Sequence, residues 1–252
     1  MRFVAAIATG IALMLAVGLS VFTSPVIGSS NATLPPARVE PTAIANESTP
    51  GNLRQLAPRQ TFQLQRAIDL SQDGDTIQLA EGTYHLSDAL EIIGKRNLTL
   101  EGVGEVWILV ENLYDDVMRI ADSTRITLRN LHARHEKPSE EYVCEGAVVA
   151  IERSSAVWID GCELNGSGAV GVLVRSSNDL IVTDSYIHDN TLTAFMLDGA
   201  DSVAIHRNTI VNNGTTFYSL DTKLLRASEN VISNNQGSTV WSNPFTREIL
   251  GE

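Results

Sequence analysis

One register recurs along the second half of the chain. The segments VWIDGCEL (157–164), LIVTDSYI (180–187), VAIHRNTI (203–210) and LRASENVI (225–232) begin 23, 23 and 22 residues apart, and ITLRNLHA, opening at Ile126, precedes them by 31. Apolar or small residues occupy their first, third and eighth places, and Leu131, Cys162, Ser185, Asn208 and Asn230 fill the sixth. Eight residues upstream of each start runs a second apolar column, Met118, Val149, Val172, Phe195 and Phe217. Six upstream run Ile120, Ile151, Val174 and Leu197, with Ser219 breaking the pattern.

Short alternating strands that recur in one chain direction at a constant period cannot pair as hairpins. Stacked coils satisfy the pattern, because each inward residue then sits on its counterpart one rung away, at about 4.8 Å. Leucine-rich repeats have a similar period but require leucines and an asparagine at fixed places, which these segments lack. The fold expected is therefore all-β, a single-stranded right-handed parallel β-helix. Counting Ile77, Leu98, Ile126, Val157, Leu180, Val203 and Leu225 as rung markers gives about seven coils, a rod of about 34 Å. Its ends need covers. Residues 61–71 place Leu64, Ala67, Ile68 and Ser71 on one helical face and are read as an N-terminal capping helix. Trp241, Pro244, Phe245, Ile249 and Leu250 are expected to close the other end.

The chain divides into three parts. Arg2 followed by an apolar run to Phe22, with Ser24, Gly28, Ser29 and Ser30 as small residues after it, marks residues 1–28 as a signal peptide or, given the run's length, an N-terminal anchor. Pro35, Pro36, Pro41, Pro50 and Pro58 mark residues 29–60 as a disordered linker. Residues 61–252 carry the β-helix. The expected location is secreted, periplasmic or cell-surface, with membrane contact only through a retained N-terminal segment. An excess of acidic over basic residues, 30 against 18, argues against nucleic acid as a partner.

The stretch LQRAIDLSQDGDTIQLAEGTYHL (64–86) resembles the opening coil of the pectin-lyase-like superfamily, which includes pectate, alginate and chondroitin lyases and mannuronan epimerases. The resemblance extends to about Asn235 and implies a polysaccharide or glycan partner. VWIDGCEL is also similar to the WIDH stretch of pectate lyases, but Gly161 stands where that family carries histidine, and no matching arginine motif accompanies it. The mechanism of those lyases does not transfer. Calcium is implied by the resemblance alone, and the family's acid-rich calcium cluster is not evident.

Coil lengths differ at one place. Between Ala133 and Val149 the chain runs 16 residues where later coils take 7 or 8, and a smaller excess between Glu105 and Met118 lies one coil earlier. Both insertions are expected to leave the rod at the same corner, and long loops on rigid scaffolds concentrate function. The larger insertion, HARHEKPSEEYVCEG, is dense in reactive side chains. In the repeat frame Arg134 aligns with Asn165 and His188, and His135 with Gly166 and Asp189, along one edge spanning about 10 Å. Arg134 would pair with an acidic sugar, His135 or His188 would act as base beside Asp189, and Glu136 or Glu145 as acid. His132, Asn165 and Tyr142 complete the expected site by binding. The plainer alternative is a solvated loop pinned by ion pairs.

Other polar columns have structural readings. Glu152, Arg175 and Asp198 alternate in sign as a cross-rung ladder would, and Asn190, Asn213 and Asn235 repeat in register as turn-satisfying amides. Asp160 and His206 supply too few ligands for a metal. Leu173, Met196 and Tyr218, and likewise Trp158, Ile181 and Ala204, form outward apolar columns. Cys162 points into the rod, with Cys144 on the loop. The function expected is action on, or binding of, an extracellular or envelope polysaccharide, lyase-, hydrolase- or epimerase-like. The alternative is a non-catalytic glycan-binding or partner-binding rod.

Overall fold

The computed structural model describes residues 51–138, 146–237 and 240–241. It is a right-handed parallel β-solenoid of about 8 turns with one short helical segment near its start. Each full coil contributes three strands, as in Val170–Arg175, Asn178–Thr183 and Tyr186–His188. Stacked, these make three faces, named here the first, second and third sheets in that order. The first is a separate seven-stranded sheet. Thr76–Leu86 and Arg96–Val110 run unbroken from the second face to the third, joining those two at the N-terminal end.

Ile126, Val157, Leu180, Val203 and Leu225 pair rung by rung in one buried column, as the repeat predicts. Two places behind them Leu128, Ile159, Val182 and Ile205 are fully buried. Near the N-terminus the register departs from the marker count. Ile77 pairs with Leu100 and not with Leu98. A shift of two residues preserves the buried face, which is why alternation alone did not reveal it. The additional coil begins within the stretch assigned to the linker: Leu53–Leu56 pair with residues 76–79. That strand buries only Leu56, so it carries no hydrophobic pattern to read.

The capping segment starts earlier and is more mixed than expected, a 3-10 helix at Pro58–Gln63 followed by an α-helix at Leu64–Asp69. It buries Leu64, Ala67 and Ile68 over the first coils. At the far end Val240–Trp241 extend the first sheet, pairing with Tyr218 and Ser219. Pro244, Phe245, Ile249 and Leu250 lie outside the described residues. Among the described residues no helix is long and apolar enough to cross a membrane.

The corners repeat one device. A residue with left-handed backbone, such as Arg153, Asp184 or Asn212, turns the chain, and the amide after it is accepted by a side-chain oxygen from the next coil. One corner uses Ser123, Ser154 and Ser177. The second uses Cys162, Ser185, Asn208 and Asn230, and the third Ser167, Asn190, Asn213 and Asn235. The expected asparagine stacks are thus amide ladders, with side chains joined at 2.9 and 3.1 Å along 190, 213 and 235. Cys162 is a free thiol inside the rod, and burial pushes its pKa up to about 12.

Asp75 ties the first coil to its neighbour. Its carboxylate is 1% exposed and accepts the backbone amides of Asn52 and Gln72, both at 2.9 Å. Burial opposes the charge, but these bonds together outweigh it and hold the carboxyl below its ordinary value.

Two outcomes follow from this packing. Ile205→Ala is expected to cost about 2–4 kcal/mol in denaturant unfolding, and a loss well under 1 kcal/mol would remove that column from the core. Because the folded-state pKa of Asp75 is depressed, its contribution is present above the unfolded value of about 3.9 and disappears as pH falls through the folded one. Asp75→Asn should therefore lose less stability than the parent on acidification from about pH 5 to pH 2, read by thermal melts.

Candidate functional site

The third sheet presents two outward columns. Thr83, Trp107, His132, Glu163, Tyr186 and Thr209 form one, by direct strand register. His85, Leu109 and Arg134 begin the other, which continues through Asn165, His188 and Val211. Between them Ile108, Ala133, Leu164 and Ile187 face inward and are fully buried.

Side chains on adjacent rungs meet in both columns. Glu163 lies between two histidines, one carboxylate oxygen 2.8 Å from His132 Nδ1 and the other 3.2 Å from His188 Nε2. The Asn165 amide donates to the second oxygen at 3.0 Å. Asp189, at a left-handed corner position, engages His188 Nδ1. His188 stacks on Tyr186 with centroids 3.8 Å apart, and His132 stacks on Trp107 at 4.7 Å. The Arg134 guanidinium sits 5.3 Å from the same Trp107 ring. Arg134 and His132 therefore converge over one indole.

Of the residues predicted from sequence, Arg134, His188, Asp189, Asn165 and His132 come together here. His135 does not reach this surface. Its side chain is fully buried, with Nε2 2.9 Å from the Asp115 carbonyl. The alternation that points Ala133 inward and Arg134 outward sends His135 inward again. Glu136 turns the other way along the rod, 3.6 Å from His85. Glu145, Tyr142 and Cys144 lie outside the described residues.

Glu163, Trp107 and Tyr186 were missed, although the first was legible. Glu163 follows His132 by the same 31 residues that separate Ile126 from Val157. The described ends of the larger insertion, residues 136–138 and 146–148, leave and rejoin the rod beside residues 110–117 of the smaller one, but the smaller one is shorter than the frame suggested. Ile108, not Glu105, partners Ala133, so part of the surplus is spent in the bend around Gly104.

The remaining columns behave mainly as structure. Glu152 pairs with Arg175 at 3.5 Å, and Arg119 extends that ladder, reaching Glu152 at 3.0 Å and Glu91 at 3.3 Å. Leu173, expected outward, is buried in a small cluster with Ala147, Ala150, Ala169 and Val170. Trp158 remains 42% exposed on the second sheet, as expected. Asp160 is held by Arg129 at 3.1 Å, and His206 contacts Ser228. Among the described residues no three histidine, cysteine, aspartate or glutamate side chains converge as a metal site, so the donor set present does not fit the implied calcium.

The sequence pattern of the family described as "Right handed beta helix region" matches residues 108–246. The chain belongs to this right-handed β-helix family. No curated protein matches it. Solved structures similar to this β-helix protein include Jun a 1, the major allergen of cedar pollen (TM-score 0.59, 14% identity, covering 75% of this chain and 62% of that one). A pectate lyase from a Bacillus species in complex with trigalacturonate gives TM-score 0.54 and 16% identity, covering 78% and 79% of the two chains. An alginate lyase from a Paenibacillus species gives 0.51 and 14%, covering 71% and 75%. At these identities the likeness establishes the fold alone.

The geometry separates site residues from scaffold residues. Arg134→Ala and Glu136→Ala remove side chains that point off the rod and should stay within about 1 kcal/mol of the parent. His135→Ala strips the Asp115 carbonyl of a buried partner and should cost about 1–3 kcal/mol. Equal losses for all three in denaturant melts would contradict this division.

Proposed function

We propose that this is an exported protein that binds and cleaves an acidic extracellular or envelope polysaccharide at the outer face of the third sheet. The observation that carries the reading is the grouping of His132, Glu163 and Arg134 beside Trp107. With Nδ1 donating to Glu163, the His132 ring is fixed in the tautomer whose Nε2 carries a lone pair. No hydrogen-bond partner for that nitrogen is found among the described residues. Arg134, two residues along the same strand and so about 7 Å away, supplies a fixed positive charge for a sugar carboxylate.

That arrangement suits β-elimination. Arg134 neutralises the uronate, which acidifies the adjacent ring C–H. His132 Nε2 takes that proton, the electron pair forms the ring double bond, and the glycosidic C–O bond breaks as a water molecule protonates the leaving oxygen, the hydroxide left behind being neutralised by the proton on His132. Glu163 orients His132 and steadies its positive charge, as a carboxylate does for a catalytic imidazole. His188, engaged at both nitrogens, is assigned to positioning Glu163 and not to proton transfer. The lyases among similar structures act in support, as does the apolar run at residues 3–22 for export. No step is routed through a metal.

A second reading has its own observation. Both carboxylate oxygens of Glu163 and both nitrogens of His188 are already satisfied within the protein. A closed network of this kind also fits a rigid glycan-binding face without turnover. Incubation of purified protein with pectate, alginate and other uronate polymers, with ultraviolet absorbance of the unsaturated product as readout, separates the two. Cleavage is expected, reduced about 100-fold or more in His132→Ala and strongly in Glu163→Gln. Cleavage undiminished in both variants would move the site elsewhere, and retention without cleavage would favour the binding face.

A further inference from the structure

Two grooves meet at the N-terminal end of the rod, and neither is lined by His132 or Glu163. One, of about 560 Å³, is lined by Arg59, Phe62, Gln65, His85 and Asp88 among others. The other, of about 450 Å³, runs between Asp88, Glu91, Tyr114, Asp115, Asp116 and Arg119. Asp88 and Ala89 belong to both, so the two form one bent valley. Phe62 and Tyr114 flank it at 78% and 83% exposure, the most exposed large hydrophobic side chains among the described residues. Single exposed apolar residues need no explanation, but two aromatic rings at either limb of one valley do.

The polar lining narrows the ligand. Glu91 is paired with Arg119 at 3.3 Å, Asp115 accepts from Asn112 at 3.0 Å, and Asp116 accepts the Ala147 amide at 2.8 Å. These carboxylates are held in place and keep further lone pairs as acceptors, while their surplus over cations repels a polyanion. Rings that can stack on apolar C–H faces, beside fixed acceptors for hydroxyl groups, are complementary to pyranose sugars. We propose that this valley is a second glycan site, for an uncharged oligosaccharide, with Phe62 and Tyr114 as stacking platforms. It adjoins the N-terminal end of the third sheet, where His85 of the Arg134 column lines it, but contains neither His132 nor Glu163 and does not rest on that reading.

Affinity electrophoresis of the full chain through gels containing glucomannan, xylan, galactan or hydroxyethyl cellulose, followed by calorimetry with hexasaccharides of the retarding polymer, tests it. At least one neutral polymer should retard the parent. The Phe62→Ala/Tyr114→Ala double variant should bind about tenfold or more weakly, while Glu163→Gln keeps the parent's affinity for it. Both platform residues are exposed, so the double variant should melt with the parent. Retardation by none of the neutral polymers, or equal retardation of parent and double variant, overturns the proposal. So does a double variant that loses only pectate binding or only binding of a lysine-rich peptide.

Discussion

At each corner of the rod a backbone amide is left pointing along the axis, and the rest of the structure depends on what accepts it. A buried amide without a partner costs about 1–3 kcal/mol. Here serine and asparagine oxygens from the next coil accept it at three corners, at 2.8–3.2 Å. These ladders pin the register between coils independently of the apolar core. A slip of one residue would both orphan the amides and turn every inward side chain outward.

This double constraint explains what was legible. Where coils are uniform, from Ile126 to Leu225, the period, the core columns and the asparagine ladders could all be read from spacing. The first coils hid their register because strands Thr76–Leu86 and Arg96–Val110 cross a corner without a break, bending at Gly82 and Gly104. Their surplus residues look like a loop insertion in one dimension. The strand at Leu53–Leu56 was unreadable for a different reason, since an edge strand with one buried residue has no alternation to detect.

The site was half legible. Register aligned Arg134 with Asn165 and His188, yet carrying the alternation one residue further would have turned His135 inward. Glu163 went unnoticed because it stands outside the reactive-looking insertion, on a coil whose neighbours carry Tyr186 and Thr209 at the same place. Its importance arises from the rung spacing. A glutamate between two rungs has the reach to bridge side chains on either side, as Arg119 does between Glu91 and Glu152 on the first sheet. Such bridges are ordinary in a solenoid and do not by themselves mark chemistry. What distinguishes the third sheet is His132, whose Nε2 has no hydrogen-bond partner among the described residues, close to Arg134 over the same indole.

Gly161 shows how a corner fixes the backbone while leaving the side chain open to choice. It adopts φ +61°, in line with Asn130, Asp184, Arg207 and Glu229, which tolerate the same left-handed backbone with side chains attached. Gly161 differs from them in its neighbour. A Cβ there would lie 2.8 Å from Asn130 Oδ1, closer than such atoms pack. That oxygen is the tip of a side chain, so a larger residue at 161 would require Asn130 to turn aside and not the backbone to shift. On the strands of the third sheet alternation presents side chains outward without that crowding, and Asp189 shows that a corner position can add to the group assembled there.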